Sequence, residues 1–301
     1  MAENSKIEWT DHTVNLWWGC AKVHTGCKNC YAEYFSDTRY KKNLWGEKQP
    51  RQRIKSAFND LDKYQKQAES ENKLLKIFCG SMMDIFEDSK LLTNPTEEFE
   101  ITSDLRFRLF NKISKGEYNN LIFLFLTKRP ENIAVNVPTT WLNNAPKNVW
   151  FGTSISNQET ANIYINRLAQ YKNNNLFLSI EPQVGDIWAI DLTYIGWVIQ
   201  GGESGHNKRE FQLQWAYDMK RMCKEQNTPY FFKQIDKIQA IPNDLQIREF
   251  PLMQVGSACL KRHLLCEVAV LEHHSFNLAL HLIRITRVQI STSPAILQSK
   301  C

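Results

Sequence analysis

The run Leu121–Leu126 reads LIFLFL, and the polar segment Thr127–Pro130, TKRP, follows it directly. An uninterrupted apolar run of this length, closed by a turn signal, predicts a strand buried on both faces, as strands of parallel sheets are. Five more runs of this kind occur in the chain. They cover residues 74–79, 148–152, 176–178, 195–199 and 230–232.

Helical patterns lie between several of these predicted strands. An apolar stripe at the spacing of one helix face is typical of a helix that packs on a sheet. The alternation of strand and helix predicts an α/β fold with a parallel sheet. The apolar faces consist of Ile101, Leu105, Leu109 and Ile113 in one helix and Trp215, Met219, Met222 and Cys223 in another.

Polar residues follow nearly every predicted strand. In (β/α) barrels the reactive groups lie at the carboxyl ends of the strands, so we predict a partial (β/α) barrel with these residues around one mouth. Loops are generally polar, but six such strand ends in succession favour a site. Besides Thr127–Pro130, the segments are Gly80–Asp84, Thr153–Ser154, Ser179–Pro182, Gln200–Ser204 and Lys233–Gln234.

The composition fits a large soluble domain. The 301 residues are 43% hydrophobic, enough for a sizeable core, yet no apolar run reaches the length of a membrane span, and the N-terminus lacks the apolar core of a secretory signal. We expect a cytoplasmic protein without membrane association. The net charge of +5 permits contact with nucleic acid without requiring it.

Three of the eight cysteines lie close together near the N-terminus: Cys20, Cys27 and Cys30. Closed zinc sites and ordinary iron–sulfur clusters take four protein ligands. A group of three therefore favours an iron–sulfur cluster with one iron left open for another ligand. Gly19 and Gly26 precede two of the cysteines and leave room for backbone near cluster sulfurs.

Two other interpretations of these cysteines stay open. A structural zinc site completed by His24 or His12 would explain the thiols but would leave the polar strand ends unused. Three inert buried cysteines are the plainest alternative, and their local density argues against it. Cys79 and Cys223 lie in a predicted strand and on a predicted helix face, and we do not expect them to bind metal.

Two further motifs are ambiguous from the residues alone. Gly201–Gly205, GGESG, could let a ligand approach the backbone while Glu203 accepts hydrogen bonds, or it could form a tight turn. Lys128 and Arg129 could bind a carboxylate or a phosphate, or could be a solvated pair at the start of a helix.

The composition changes after Pro251. Residues 252–301 contain no Trp or Tyr and only two acids, but four of the seven histidines. We therefore divide the chain into a domain over residues 1–251 and an atypical tail over residues 252–301 that we predict is not part of the core. His273 and His274 together with Cys259 and Cys266 could suggest a metal site in this tail, but their spacing matches no zinc pattern.

The cysteine motif and four of the strand ends carry a family resemblance. Trp17–Glu33, Asp84–Phe86, Leu126–Pro130, Phe151–Ser154 and Gly201–Gly205 resemble a phage and prophage family of three-Cys-motif proteins, itself of unknown function. That family is distantly similar to radical S-adenosylmethionine (radical SAM) enzymes, especially the spore photoproduct lyase-like branch. The resemblance runs from about Ile7 to Pro251.

The resemblance implies a partial (β/α) barrel of the radical SAM type in which the three cysteines hold a [4Fe-4S] cluster. It further implies that S-adenosylmethionine binds the open iron, with its amino group on Asp84 and its carboxylate on Lys128 and Ser154. Six residues separate Cys20 from Cys27, where the radical SAM superfamily has three.

The expected activity follows from the same resemblance: a 5′-deoxyadenosyl radical would abstract hydrogen from an unknown substrate, with an electron donor and a separate partner protein as candidate partners. Nucleic acid is a candidate substrate. Glu181 and Glu203 are the candidate catalytic or substrate-contacting residues. The alternative function is a zinc-binding nucleic-acid or protein interaction module without catalysis.

Overall fold

The computed structural model describes residues 5–95, 100–204 and 207–253. The tail residues Cys259, Cys266, His273 and His274 lie outside the described residues. The division of the chain at Pro251 therefore stays a prediction.

The main sheet has seven strands, all parallel, in the spatial order β1-β4-β6-β7-β8-β9-β10. It curls into a half-barrel, which confirms the α/β fold. All six predicted strands are present, whereas β1 was not predicted because its sequence, HTV, contains no apolar run. The strands are β1 His12–Val14, β4 Leu75–Cys79, β6 Leu121–Thr127, β7 Val149–Ser154, β8 Asn175–Ile180, β9 Trp197–Gly201 and β10 Tyr230–Gln234.

Helices fill most of the connections between these strands. Both predicted helices are present, as α3 and α7, and the described connection between β8 and β9 is irregular. No helix in the described ranges combines the length and the apolar character needed to cross a bilayer. The longer helices are α2 Ala57–Ser70, α3 Thr102–Ser114, α6 Gln158–Leu168 and α7 Leu213–Glu225, and the short ones are α1 Tyr31–Glu33, α4 Ile133–Asn136 and α5 Trp141–Asn144.

Strand β6 shows why its sequence is apolar without interruption. Phe123 and Phe125 belong to the core cluster that includes the helices, whereas Ile122 and Leu124 belong to a second cluster on the opposite face. Because both faces exclude water, alternation of apolar and polar residues is lost. The second cluster consists of Trp9, Phe78, Ile122, Leu124, Trp150, Phe177, Trp197, Ile199 and Phe231, and it fills the inner face of the half-barrel.

A second, three-stranded sheet was not predicted. It consists of β2 Trp17–Trp18, β3 Arg51–Arg53 and β5 Leu92–Thr93. Two of its strands have only two residues each, and β3 is mostly charged, so none of them carries an apolar period. The first strand of this small sheet is followed directly by Gly19 and by the segment Cys20–Cys30, which we call the cysteine segment.

A buried ion pair connects the small sheet with Glu87. Arg51 donates from Nε and Nη2 to the two carboxylate oxygens of Glu87, at 2.9 and 2.8 Å. Both side chains are fully buried, and Trp17 Nε1 donates to the same carboxylate. Burial raises the pKa of Glu87 and Arg51 opposes that rise. A buried pair of this kind is costly to break, so it fixes the start of the cysteine segment.

Candidate functional site

A cavity of about 980 Å³ opens at the carboxyl ends of the main strands. Its wall combines the cysteine segment with the polar residues that follow β4, β6, β8, β9 and β10. Of the residues predicted from sequence, the cavity is lined by Cys20, Cys27, Cys30, Asp84, Lys128, Glu181 and Glu203. Ser154 is fully buried and is not among the lining residues.

The cysteine segment Cys20–Cys30 lies directly on the end of β7. A side-chain carbon at Gly26 would stand 2.1 Å from the Ser156 hydroxyl, so a residue with a Cβ would push the segment away. The Gly26 amide donates to His24 Nδ1 at 3.0 Å, which shapes the turn before Cys27. Glycine at this position therefore brings Cys27 close to the strand end.

The three thiols differ in their surroundings. Cys27 is buried, and Cys20 and Cys30 are half-buried. Burial raises the pKa of Cys20 to about 12, with a contribution from Asp84, while Arg129 acts in the opposite direction. Burial also raises the pKa of Cys30. Cys20 and Cys30 are therefore neutral near pH 7, and binding of a metal would require both to lose their protons.

The cysteines do not form a ready site for a single metal ion. Across the described ranges, no three side chains of Cys, His, Asp or Glu stand in an arrangement that could hold one ion. What the three cysteines share is the cavity that they line.

Asp84 is fully occupied by donors from the chain itself. Oδ1 accepts from the Phe86 amide at 3.0 Å and from the Thr127 hydroxyl at 2.7 Å. Oδ2 accepts from the Lys128 amide and from Arg129 Nη1, both at 3.0 Å. A carboxylate offers about four acceptor positions. Contact with a ligand amino group, as the resemblance implies, would therefore have to displace one of these donors.

Arg129 connects Asp84 to the first cysteine. Its Nη2 donates to the Ala21 carbonyl at 3.0 Å, and Nη1 lies 3.9 Å from Cys20 Sγ. A guanidinium at this distance favours the thiolate form of the cysteine. Asp84 and Arg129 therefore fix the start of the cysteine segment and place a positive charge beside its thiol.

Lys128, in contrast, is available to a ligand. It lines the cavity, and within the described part of the chain no carboxylate pairs with its ammonium group. Its charge lowers the pKa of His24 and of Cys30, so it lies within electrostatic reach of both. An unpaired lysine in a cavity is suited to bind a carboxylate or a phosphate.

Ser154 is the last residue of β7, and Glu181 directly follows the neighbouring strand β8. The Ser154 hydroxyl donates to the Glu181 carbonyl at 3.1 Å, so Ser154 supports the backbone of the next loop. The Glu181 carboxylate pairs with Lys233 at 2.7 Å. Ser179 also lines the cavity, and its buried hydroxyl has no hydrogen-bond partner within the described ranges.

Neither histidine proposed for a zinc site lines the cavity. His12 stacks on Tyr64 of α2, with ring centroids 3.9 Å apart, and His24 Nδ1 is occupied by the Gly26 amide. Cys79 and Cys223 are buried in the main core and are likewise absent from the cavity wall.

Several site residues escaped sequence reasoning, notably Asn29 and Arg209, which both bind Glu203. Asn29 lies inside the Cys27–Cys30 motif, and this position was the sequence signal that could have indicated its role in the site. The excess of positive charge was also missed: eight Lys or Arg side chains line the cavity against four Asp or Glu. The cavity is therefore suited to an anionic ligand.

Comparison with known proteins gave one match. The model of a family described as protein of unknown function, DUF5131, matches residues 4–264 and so runs past Pro251. No curated protein and no solved structure matches the chain.

Proposed function

The chain belongs to the DUF5131 family of unknown function, and we propose from its site that it is a radical SAM-type iron–sulfur protein. Cys20, Cys27 and Cys30 would hold a [4Fe-4S] cluster, and S-adenosylmethionine would bind beside it in the cavity. The observation that carries the proposal is that three cysteines line one large cavity at the carboxyl ends of parallel strands.

The donor set fits a cluster better than a single ion. A zinc ion needs all of its ligands within about 2.3 Å, whereas a cluster spreads its thiolate ligands over several irons. All three cysteines line one cavity, and in the described ranges no three side chains of Cys, His, Asp or Glu are arranged to hold a single ion. The cavity volume of about 980 Å³ also leaves room for a nucleoside-sized ligand beside a cluster.

Each neighbouring residue has a separate task in this proposal. Lys128, which lines the cavity, binds the carboxylate of the cofactor. Arg129 stabilises the Cys20 thiolate, and Asp84 holds Arg129 and the Lys128 amide in place. When bound, the cluster and S-adenosylmethionine supply a carbon radical after one-electron cleavage of the sulfonium, with the electron coming from a separate donor.

Nucleic acid is the substrate class that the surface beside the cavity favours. Tyr34 and Tyr40 are exposed, and the Arg39 guanidinium lies 5.7 Å from the Tyr40 ring centroid. Lys42 Nζ lies 5.1 Å from the Trp18 ring centroid. Aromatic rings interleaved with cations stack bases and contact phosphates. We expect single-stranded oligonucleotides to bind in a salt-dependent manner, and replacement of Tyr34 and Tyr40 by Ala to weaken that binding in fluorescence anisotropy.

The decisive experiment is anaerobic purification followed by iron and sulfide analysis. We expect a brown protein with broad visible absorption, iron and sulfide in equal amounts, and formation of 5′-deoxyadenosine from S-adenosylmethionine when dithionite is added. Replacing Cys20, Cys27 or Cys30 by Ala should remove iron. The matched controls are Cys79→Ala and Cys223→Ala, which should keep it.

Two outcomes would contradict the proposal. A colourless protein that contains stoichiometric zinc would support the interaction module without catalysis. Iron that survives replacement of all three N-terminal cysteines would show that the metal is held elsewhere.

A further inference from the structure

The carboxylate of Glu203 is occupied by the chain rather than left free for a substrate. Oε1 accepts from Arg209 Nη2 at 2.6 Å. Oε2 accepts from the Arg209 amide at 2.8 Å, from Arg209 Nε at 3.1 Å and from Asn29 Nδ2 at 3.0 Å. Glu203 is only 5% exposed. Donors of the chain therefore engage both oxygens of the carboxylate, three at Oε2 and one at Oε1, which indicates a structural task for Glu203.

Those donors connect the loop after β9 with the second half of the cysteine segment. Asn29, which lies between Cys27 and Cys30, also donates to the Asn207 carbonyl at 2.6 Å. Arg209 Nη1 donates to the Thr25 carbonyl at 3.0 Å. The segment is therefore held from the same loop at Thr25 and at Asn29, on both sides of Cys27.

The first half of the segment is held by a pair of the same chemistry. Asp84 binds Arg129, and Arg129 donates to the Ala21 carbonyl beside Cys20. Each half of the segment is thus fixed by one buried carboxylate and one guanidinium. Hydrogen bonds to charged groups are stronger than neutral ones, so both attachments resist opening of the segment.

We propose that Glu203 and Arg209 are positioning residues that hold Cys27 and Cys30 at the cavity wall and limit the access of solutes to them. They act through Asn29 and the Thr25 carbonyl and do not touch a ligand. The proposal does not depend on the proposed iron–sulfur function, because it concerns the thiols of the protein before any metal binds.

The test is the rate of alkylation of each cysteine in the reduced, metal-free, full-length protein. Iodoacetamide labelling is followed by tryptic peptide mass spectrometry, and cleavage after Lys28 separates Cys27 from Cys30. The variants are Arg209→Ala and the milder Glu203→Gln. Arg221→Ala is the control, since it removes an exposed pair with Glu225 on α7.

In Arg209→Ala we expect Cys27 and Cys30 to react roughly tenfold faster, since more than one charge-assisted hydrogen bond is lost. Glu203→Gln should shift both rates in the same direction by less, because the amide still accepts from Asn29. Buried Cys79 and Cys223 report on the core and should not change in either variant. Unchanged rates at Cys27 and Cys30 would overturn the proposal. An equal rise at Cys20, Cys27, Cys30, Cys79 and Cys223 would overturn it as well, because it would indicate loss of the core.

Discussion

The two attachments of the cysteine segment, Asp84 with Arg129 and Glu203 with Arg209, use the same chemistry. They differ in the cation beside each pair. At the ends of β4 and β6, Asp84 pairs with Arg129, and Lys128 at the cavity has no carboxylate partner among the described residues. At the end of β9, Glu203 pairs with Arg209, and the neighbouring Lys208 pairs with Asp236. The comparison teaches that a carboxylate at a strand end is not by itself a ligand site; what matters is which donors remain after the chain has satisfied it.

The largest expected effect is a loss of stability that is greater for the Arg129 variant than for the Arg209 variant, because Arg129 is more buried. Arg129→Ala leaves Asp84 buried without its charge partner and should destabilise the protein by about 3–5 kcal/mol. Arg209 is more exposed, with 27% of its side chain accessible against 10% for Arg129, so Arg209→Ala should cost clearly less. Urea unfolding monitored by circular dichroism measures both. Equal losses would show that the two attachments are equivalent.

Lys128→Ala tests whether the unpaired cation is the ligand-binding group. Binding of S-adenosylmethionine should weaken by about 1.5–3 kcal/mol, because one charge-assisted contact to the carboxylate is lost. The stability of the protein should change little, since Lys128 has no carboxylate partner in the described ranges. Calorimetry under anaerobic conditions measures the affinity. An unchanged affinity would show that Lys128 does not bind the carboxylate of the cofactor.

The segment between the two attachments should respond to pH through His24. Burial and the charge of Lys128 lower its pKa to about 3, from an ordinary value of 6.5. Above pH 6.5 this histidine is neutral in both the folded and the unfolded protein and does not lower the free energy of unfolding. Below pH 6.5 the unfolded chain binds a proton that the folded state does not bind, so the free energy of unfolding falls. Stability should decrease by about 2 kcal/mol between pH 7 and pH 5 from this group.

The check on His24 is urea unfolding at both pH values for the wild type and for His24→Gln. The variant should lose most of this pH dependence, since glutamine does not titrate. A variant that keeps the full pH dependence would assign it to other groups.

Truncation of the tail should have the smallest effect. A chain that ends at Pro251 should keep its melting temperature and its iron content, because the composition of the tail predicts that it is not part of the core, and termini outside a core tolerate removal. Met253 packs partly against the inner-face cluster, so a chain that ends after Met253 is the matched comparison. A large fall in melting temperature for both truncated chains would show that the residues after Met253 belong to the core.

The predictable part of this molecule is the part whose causes are local. The run Leu121–Leu126 identified β6, because burial on both faces leaves a continuous apolar string. The density of Cys20, Cys27 and Cys30 marked one wall of the cavity. Strand β1 and the small sheet were missed, since their two- or three-residue strands are too short to show a period.

The roles of the strand-end carboxylates could not be predicted, because they depend on distant partners. Glu203 and Asn29 lie 174 positions apart in the chain, and Arg129 lies 108 positions from Ala21. A local sequence pattern cannot predict a contact between residues so far apart in the chain.

The sequence by itself determined the alternation of strands and helices, the strand-end positions of the polar residues and the grouping of the cysteines, because hydrophobic period and residue spacing act over short stretches. The tertiary structure decided which of those polar residues stay available. It paired Asp84 with Arg129 and Glu203 with Arg209, it buried Ser154, and it placed Lys128 at the cavity without a carboxylate partner among the described residues. The physical reason is that a charged group buried by folding must find a partner, and the partner is whichever charge the fold brings near.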